Sequence, residues 1–411
     1  MNNFFRKRSK EEIKNADYFL SIAFFILIIL GGLLNTFSNR TYINDSWTIG
    51  EWLINYQGGF VRRGFLGEGI YFLCNFIELP PIFVIWFISI TSYFLLIKFT
   101  IIEAKEKVSV VFLLSPCVFL APIIGDFLIR KDILLLLIFL FNLKILKSNN
   151  PNTYLLNFLN IFGILIHESF AIYSLPIQLF VLWNKLNINK TKIIFLKFFP
   201  SILTFIGCLI SKGDQSQALL IHQSWIDKSF LFPFENLNYE LPLGAIKAIA
   251  WDFQNVSEIL LSSLTEFKGF LWIPLVWLVT TIFLGCFFLG DYSGKDFKIK
   301  CFILTFQFLP FSILCFLGWD YGRWIFIWIL SSILIYCTCS EELKSFKFMQ
   351  DILLSYHVIE DFLLTIHIHK RSKILPLFFA YPHCCWSLYY LPGLLIVPIY
   401  SLLQSRKSLL K

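Results

Sequence analysis

The sequence predicts an all-α, polytopic integral membrane protein with about ten to twelve transmembrane helices. The chain of 411 residues is 57% hydrophobic and only 15% charged, and its mean hydropathy is +0.70. Apolar runs of roughly 17–25 residues recur along it, and that length crosses a bilayer as a helix. Because a soluble domain of this size lacks the interior to hide so much apolar surface, we predict a single transmembrane domain covering residues 1–411.

The N-terminal segment indicates the orientation of the chain. Five basic residues between positions 6 and 14 precede an apolar run at 18–37. That run is longer than the apolar region of a secretory signal, and no small-residue cleavage site follows it. Since short lysine-rich loops prefer the cytoplasm, we expect a cytoplasmic N-terminus and a multi-pass protein of a bacterial inner membrane.

Three polar segments divide the apolar runs. They are predicted to be an outer loop at 38–65, an outer segment at 212–268 and an inner amphipathic segment at 340–373. Residues 108–124 are predicted to form one membrane span.

One apolar stretch is too long for a single span. It runs from Tyr154 to Trp183 and contains His167 and Glu168. Its thirty residues would form a helix of about 45 Å, against a hydrocarbon core of about 30 Å. We therefore predict two short helices that meet at His167 and Glu168.

The basic balance of the chain does not indicate nucleic-acid binding. The net charge is +8, but lysine and arginine are spread over short loops instead of forming one patch. The ten cysteines show no spacing typical of a zinc site or a disulfide framework.

Five polar clusters fall on the predicted outer side of the membrane. They lie around 45–63, at 126–132, at 167–168, in the segment after 211, and at 320–323. Ionisable groups at the edge of apolar segments are costly, so each cluster is a functional hypothesis. Their position on one face predicts a single outward-facing site.

The first cluster combines glycines with two arginines. Gly58 and Gly59 permit tight turns and close approach of a ligand. Arg62 and Arg63 suit a phosphate or diphosphate, because guanidinium groups bind phosphoryl oxygens in a two-pronged manner.

The same cluster contains candidate acids. Asp45 and Glu51 are candidate catalytic bases or metal ligands. In the alternative interpretation the segment is a structural loop, in which an arginine pairs with Asp45 or Glu68.

The next two clusters are short. Asp126 and Arg130 are candidate substrate contacts, or alternatively an ion pair four residues apart on a helix. His167 and Glu168 are a candidate general base with its orienting partner, or metal ligands. They lack the spacing of a zinc protease, because Ala171 stands where that motif has its second histidine.

The last cluster contains Trp319, Asp320 and Arg323. Aromatic faces stack on sugars and arginine holds phosphate, so these residues are candidate substrate contacts. Alternatively, Trp319 anchors the chain at the membrane interface and Asp320 pairs with Arg323.

The segment from Asn55 to Gly64 resembles a stretch of uncharacterised bacterial membrane proteins that accompany surface-polysaccharide genes. The general layout resembles GT-C glycosyltransferases and, more loosely, O-antigen polymerases and ligases. In GT-C enzymes an acid of the first outer loop is catalytic or binds metal, and Asp45 takes that place here. The resemblance implies a polyprenyl-phosphate-linked sugar donor, a glycan acceptor, contact with membrane lipid and, in some members, a divalent metal such as Mg²⁺ or Mn²⁺.

These expectations lead to a membrane glycosyltransferase of cell-envelope polysaccharide assembly as the first functional hypothesis. In it Asp45, Glu51 or His167 accepts a proton, while Arg62, Arg63 and Arg323 neutralise the leaving phosphate. The alternatives are a polysaccharide polymerase or ligase without a metal, a transporter or flippase for a lipid-linked or anionic solute, and a structural assembly subunit. No complete set of metal ligands is visible in the sequence.

Overall fold

The computed structural model describes most of the chain between residues 47 and 344. The described residues are 47–104, 107–108, 110–114, 118–124, 127–186, 191–226, 244–251, 254–255, 257–258, 295–317 and 320–344, together with Ile26 and Leu30. Within these residues the structure is helical and contains no strand, which confirms the all-α class.

The helices are numbered in chain order. They are α1 Thr48–Leu53, α2 Gly64–Ile77, α3 Pro81–Ala104, α4 Val110–Leu113, α5 Ala121–Ile124, α6 Asp132–Lys147, α7 Thr153–Ile166, α8 Ser169–Leu186, α9 Thr191–Ile210, α10 Gln215–Ile226, α11 Lys295–Leu317 and α12 Tyr321–Lys344, with a 3-10 helix at Lys247–Ala250 between α10 and α11.

Three of these helices are long and apolar enough to cross a membrane. They are α3, the 298–315 part of α11 and the 322–343 part of α12. The helices α9 and α10 meet at a bend of 96° and would make a fourth span if they count as one. The described residues therefore form a helical membrane protein, and the total of ten to twelve spans stays a prediction.

The membrane helices differ in how much protein surrounds them. Of the best apolar window in α12, 94% is buried inside the protein, whereas the figure for α3 is 44%. Exposed apolar side chains such as Phe72, Phe76 and Phe87 cover the outside of α2 and α3. Such a surface is compatible with contact to membrane lipid, and α12 is a central helix of the bundle.

One predicted span is wrong. Residues 108–124 do not form a continuous helix, because their described part contains only the four-residue helices α4 and α5. The side chains of Leu113, Val118 and Phe119 are fully buried, and the Tyr93 hydroxyl donates to the carbonyl of Phe119. The apolar character of this segment reflects burial within the protein, which periodicity alone does not distinguish from contact with lipid.

The long stretch 154–183 is broken as predicted. Helix α7 ends at Ile166 and α8 begins at Ser169, with His167 in an extended conformation between them. The two helices approach closely, because a Cβ atom on Gly163 would lie 2.6 Å from the Phe170 ring.

The polar segments contain more structure than their composition indicates. The predicted loop 38–65 contains α1, whose six residues are all buried, and the segment 212–268 contains α10. The first residues of the predicted inner segment 340–373 belong to α12 up to Lys344, and residues 345–373 lie outside the described part.

Two apolar clusters organise the described bundle. The larger is built mainly from α3, α6, α7, α8, α11 and α12, with contributions from α4 and α9. The smaller joins α1, α2, the start of α3, α10 and the 3-10 helix. Ile129 belongs to the smaller cluster and Ile133 to the larger, so Arg130, Lys131 and Asp132 lie where the two clusters meet.

Candidate functional site

The residue before α2 has an unusual backbone conformation. Arg63 adopts φ 67°, the left-handed region that non-glycine residues seldom occupy. A Cβ atom on the next residue, Gly64, would lie 2.4 Å from the Tyr56 ring. Backbone strain of this kind concentrates at functional sites, and here it directs the Arg63 side chain towards the break between α7 and α8.

Arg63 and Glu168 form a two-pronged ion pair. The Arg63 Nε atom lies 2.9 Å from Glu168 Oε2, and Nη2 lies 2.5 Å from Oε1. Arg62 adds one contact, from Nη1 to Glu168 Oε1 at 3.4 Å. Among the described residues the partner of these arginines is therefore Glu168, and the alternative pairing with Glu68 is wrong, whereas the alternative pairing with Asp45 lies outside the described residues.

Glu68 is engaged elsewhere. Its carboxylate accepts hydrogen bonds from the Tyr56 backbone N–H at 2.8 Å and from the Gln57 side chain at 2.9 Å. It thereby closes the turn that leads to the arginines.

Glu51 lies buried between two cationic or proton-donating partners. Its Oε1 atom is 3.1 Å from His167 Nε2, and its Oε2 atom is 3.2 Å from Arg130 Nη1. Burial alone would raise the pKa of this carboxyl. The hydrogen bond from His167 and the charges of Arg130 and Arg323 hold the pKa well below its usual value. Glu51 is therefore ionised at neutral pH and a weak base.

Both ring nitrogens of His167 are occupied. The backbone N–H of Ser169 donates to Nδ1 at 3.1 Å, which assigns the proton to Nε2, the atom that faces Glu51. Glu168 Oε2 is farther away, at 3.7 Å from Nδ1. The orienting partner of His167 is thus Glu51, whereas the sequence predicted its neighbour Glu168.

Arg323 joins the ends of two central helices. Its Nε and Nη2 atoms lie 2.7 and 3.2 Å from the two carboxylate oxygens of Asp132, and Nη1 donates to Asp320. Its guanidinium group also stands 4.8 Å from the centre of the Trp324 ring. The predicted Asp320–Arg323 pair is confirmed, but the buried partner of Arg323 is Asp132.

Lys131 is the most enclosed cation of the group. It is 1% exposed, and its Nζ atom donates to the backbone carbonyls of Arg63 at 3.2 Å and Ile166 at 3.3 Å. It lies in the turn before α6, outside the candidate membrane spans. Burial, the largest cause, lowers its pKa to about 8. Lys131 therefore connects the two segments that carry Arg63 and Glu168.

Lys131 and Asp132 are not among the candidate residues predicted from the sequence. Both belong to the 126–132 cluster, whose predicted candidates are Asp126 and Arg130. A signal was present, because charged residues at three successive positions, 130–132, stand at the start of an apolar helix.

Four of the predicted clusters meet in one ionic network. Glu51 and the arginines at 62 and 63 come from the first, Arg130 from the second, His167 and Glu168 from the third, and Asp320 and Arg323 from the last, whose arginine interacts electrostatically with Glu51. Asp45, Asp126 and Trp319 lie outside the described residues.

Gly58 and Gly59 have a packing role in this structure. A Cβ atom on Gly58 would lie 2.6 Å from the Gln217 carbonyl oxygen, and Gly59 adopts φ 104°. The Arg62 backbone N–H donates to the Ser211 carbonyl at 2.8 Å. The glycines thus let the arginine-bearing turn rest on the bend between α9 and α10.

The described residues contain no group of three or more histidine, cysteine, aspartate or glutamate side chains placed to hold a metal ion. Within the network, each oxygen of Glu51 and Glu168 already faces an arginine or a histidine. These carboxylates do not fit a metal centre in the conformation described.

Comparison with known proteins gives no relative: no protein-family model, no curated protein and no solved structure matches the chain.

Proposed function

We propose that the protein is a membrane glycosyltransferase that takes a sugar from a polyprenyl-phosphate carrier at the outer face of the bacterial inner membrane and serves cell-envelope polysaccharide assembly. The observation that carries the proposal is the arginine pair at 62 and 63, about a quarter exposed, directly above a buried ionic network. Guanidinium groups at such a rim suit the phosphate of a lipid carrier whose chain stays in the bilayer.

The proposed reaction is an inverting transfer. The acceptor hydroxyl oxygen attacks the anomeric carbon of the sugar, and the bond from that carbon to the phosphate oxygen breaks. The lipid phosphate leaves with the bonding electron pair, and Arg62 and Arg63 neutralise its growing charge. The hydroxyl proton passes to a base. Because Glu51 and His167 are fully engaged, the proposal assigns that role to Asp45.

A polysaccharide polymerase or ligase is the second candidate. The observation that favours it is that both carboxylates next to the arginine pair are held by cations and unsuited to metal binding. In this second candidate the same arginines act on the phosphate without a metal. The product distinguishes the two candidates, because a transferase adds one sugar whereas a polymerase or ligase moves a whole glycan.

The test is mass spectrometry of polyprenyl-linked glycans from cells that lack the protein. We expect a truncated lipid-linked intermediate to accumulate, and we expect wild type but not Arg63→Ala or Asp45→Asn to remove it. Lys147→Ala is the matched control, because Lys147 is an exposed basic residue paired with Glu103 at the far end of α6. An unchanged pool of lipid-linked glycans contradicts both candidate functions. Accumulation of unpolymerised repeat units favours the polymerase or ligase.

The proposed orientation has its own test. Gln57 is exposed beside the arginine pair, and Ser148 is exposed just past the opposite end of α6. In whole cells a membrane-impermeant maleimide should label Gln57→Cys, whereas Ser148→Cys should react only after permeabilisation. The reverse pattern contradicts an outward-facing site.

A further inference from the structure

Positive charge exceeds negative charge in the described network. Its cations are Arg62, Arg63, Arg130, Lys131 and Arg323, and its carboxylates are Glu51, Asp132, Glu168 and Asp320. Asp132 and Asp320 both pair with Arg323, and Glu51 pairs with Arg130. Among the described residues, the carboxylate of Glu168 is therefore shared by the arginines at 62 and 63, and Lys131 has only the electrostatic attraction of Glu51 and, more weakly, of Glu168.

Lys131 makes this imbalance costly. Its ammonium group is buried and donates to two backbone carbonyls, and no carboxylate of the described part of the chain forms an ion pair with it. The Glu51 and Glu168 carboxylates attract this ammonium group without forming an ion pair with it. Because a buried charge that no ion pair neutralises is unfavourable, a further anion nearby would be attracted.

Arg62 is a residue of the network that an anion arriving from solvent can contact first. It is 23% exposed, and within the described part of the chain its one side-chain ion pair is the 3.4 Å contact with Glu168. A guanidinium group carries five N–H donors, so most of those on Arg62 remain available to a ligand that arrives from the exposed side.

Glu168 has a further positive charge nearby. Lys131 is close enough to interact with it electrostatically. If Glu168 left the arginines, its carboxylate would stay within reach of positive charge.

We propose that Arg62, Arg63 and Lys131 form the binding site of a phosphate-bearing lipid headgroup, and that Glu168 is its built-in counter-ion, which the ligand displaces. The lipid nature of the ligand rests on the proposed function, whereas the anion site and the role of Glu168 rest on the charges and contacts alone. In the empty site Glu168 neutralises the arginines. In the occupied site a phosphate takes its place.

The direction in which phosphate affinity changes when Glu168 is neutralised distinguishes a displaced counter-ion from a residue that only holds Arg63 in position. If Glu168 competes with the ligand, its neutralisation raises the affinity for phosphate, because the arginines lose their internal partner. If Glu168 serves to hold Arg63 in position, the same change lowers the affinity.

The experiment is calorimetric titration of the purified full-length protein in nanodiscs with inorganic pyrophosphate, and in a second arm with polyprenyl phosphate built into the nanodisc. We expect Glu168→Gln to bind pyrophosphate about tenfold more tightly than wild type, a change equivalent to about 1.4 kcal/mol. Lys131→Met and Arg62→Ala should each weaken binding. Glu103→Gln, which removes a carboxylate paired with two lysines at the other end of α6, should change nothing.

Glu168→Asp covers the case in which Glu168→Gln does not fold. The shorter carboxylate keeps the charge but reaches the arginines less well, so binding should again tighten, by a smaller factor. If the folded Glu168 variants bind pyrophosphate as wild type does or more weakly, the claim that the ligand displaces Glu168 is wrong. If no variant binds pyrophosphate, the claim that these residues form an anion site is wrong. If pyrophosphate and the polyprenyl phosphate bind with equal affinity, the ligand is not specifically a lipid headgroup.

The proposed function and the anion site can be contradicted by different results. If the titrations follow the expected order while Arg63→Ala leaves glycan assembly intact in cells, the anion site stands and the glycosyltransferase does not.

Discussion

Arg63 and Glu168 are 105 positions apart in the chain and form a two-pronged ion pair at the break between α7 and α8. The pair joins the turn before α2 to the start of α8, and the ammonium group of Lys131 holds the backbone on both sides of it. The local geometry of the site thus depends on contacts between segments that are remote in sequence.

The two neighbouring arginines should differ in their effect on stability. Arg63→Ala leaves the buried Glu168 carboxylate with the 3.4 Å contact of Arg62 and the more distant charge of Lys131, and we expect it to lower the free energy of unfolding by about 3 kcal/mol. Arg62→Ala removes a single 3.4 Å contact of a partly exposed side chain and should cost at most about 1 kcal/mol. Thermal unfolding in detergent measures both, and equal losses would contradict the assignment of Arg63 as the main partner.

The two aspartates that bind Arg323 should also differ. Asp132→Asn removes the charge that faces Arg323 where both side chains are almost fully buried, and we expect a loss of about 3–5 kcal/mol. Asp320→Asn removes a partner that is 22% exposed and leaves Asp132 in place, so the loss should stay below about 1 kcal/mol. The comparison uses unfolding of the two purified variants. A larger effect of Asp320→Asn would be incompatible with the described geometry.

Two glycines on α2 form a matched pair for testing close packing. A Cβ atom on Gly67 would lie 1.9 Å from the Ile54 carbonyl oxygen, whereas a Cβ atom on Gly69 would have no neighbour within 4 Å. We expect Gly67→Ala to prevent accumulation of folded protein, because helix and loop backbones would have to separate. Gly69→Ala should be neutral or stabilising by up to about 1 kcal/mol, since alanine favours the helix. Fluorescence-detected size exclusion reports both, and a folded Gly67→Ala protein would show that α2 does not approach this turn.

The stability of the protein should fall in acid partly because of Glu51. The pKa of Glu51 is lower in the folded protein than its ordinary value of 4.5, so the unfolded chain takes up a proton first as the pH falls. The contribution of Glu51 is therefore complete above about pH 4.5 and is lost as the pH drops through the folded-state value. Glu51→Gln should be less stable than wild type at neutral pH and should lose less stability in acid. Unfolding measured from pH 7 to pH 3 tests this, and parallel curves for the two proteins would exclude the effect.

Much of the backbone layout could be predicted from local pattern. The break at His167 and Glu168 follows from the length of an apolar stretch and the size of a helix that fits a bilayer. The segment 108–124 was misassigned for the converse reason. An apolar run buried against Tyr93 and its neighbours has the same composition as one that faces lipid, and only its contacts distinguish the two.

The candidate site was predictable in outline but not in its pairings. Charged residues stand out in an apolar chain because their burial is expensive, and that cost drew attention to Glu51, Arg63, Glu168 and Arg323. Lys131 and Asp132 were passed over, because the sequence does not indicate which member of a run of three charges turns inward.

The sequence by itself determined that this protein is helical, that it has membrane-crossing segments, and that its unusual charges belong near one another. These properties follow from hydrophobicity and periodicity, which act locally along the chain. Only the tertiary structure decided that Glu51 pairs with His167 and Arg130, that Glu168 pairs with Arg63, and that Asp132 pairs with Arg323. Such pairings depend on which side chains the packing of distant helices brings within about 3 Å, the separation at which charge-assisted hydrogen bonds form.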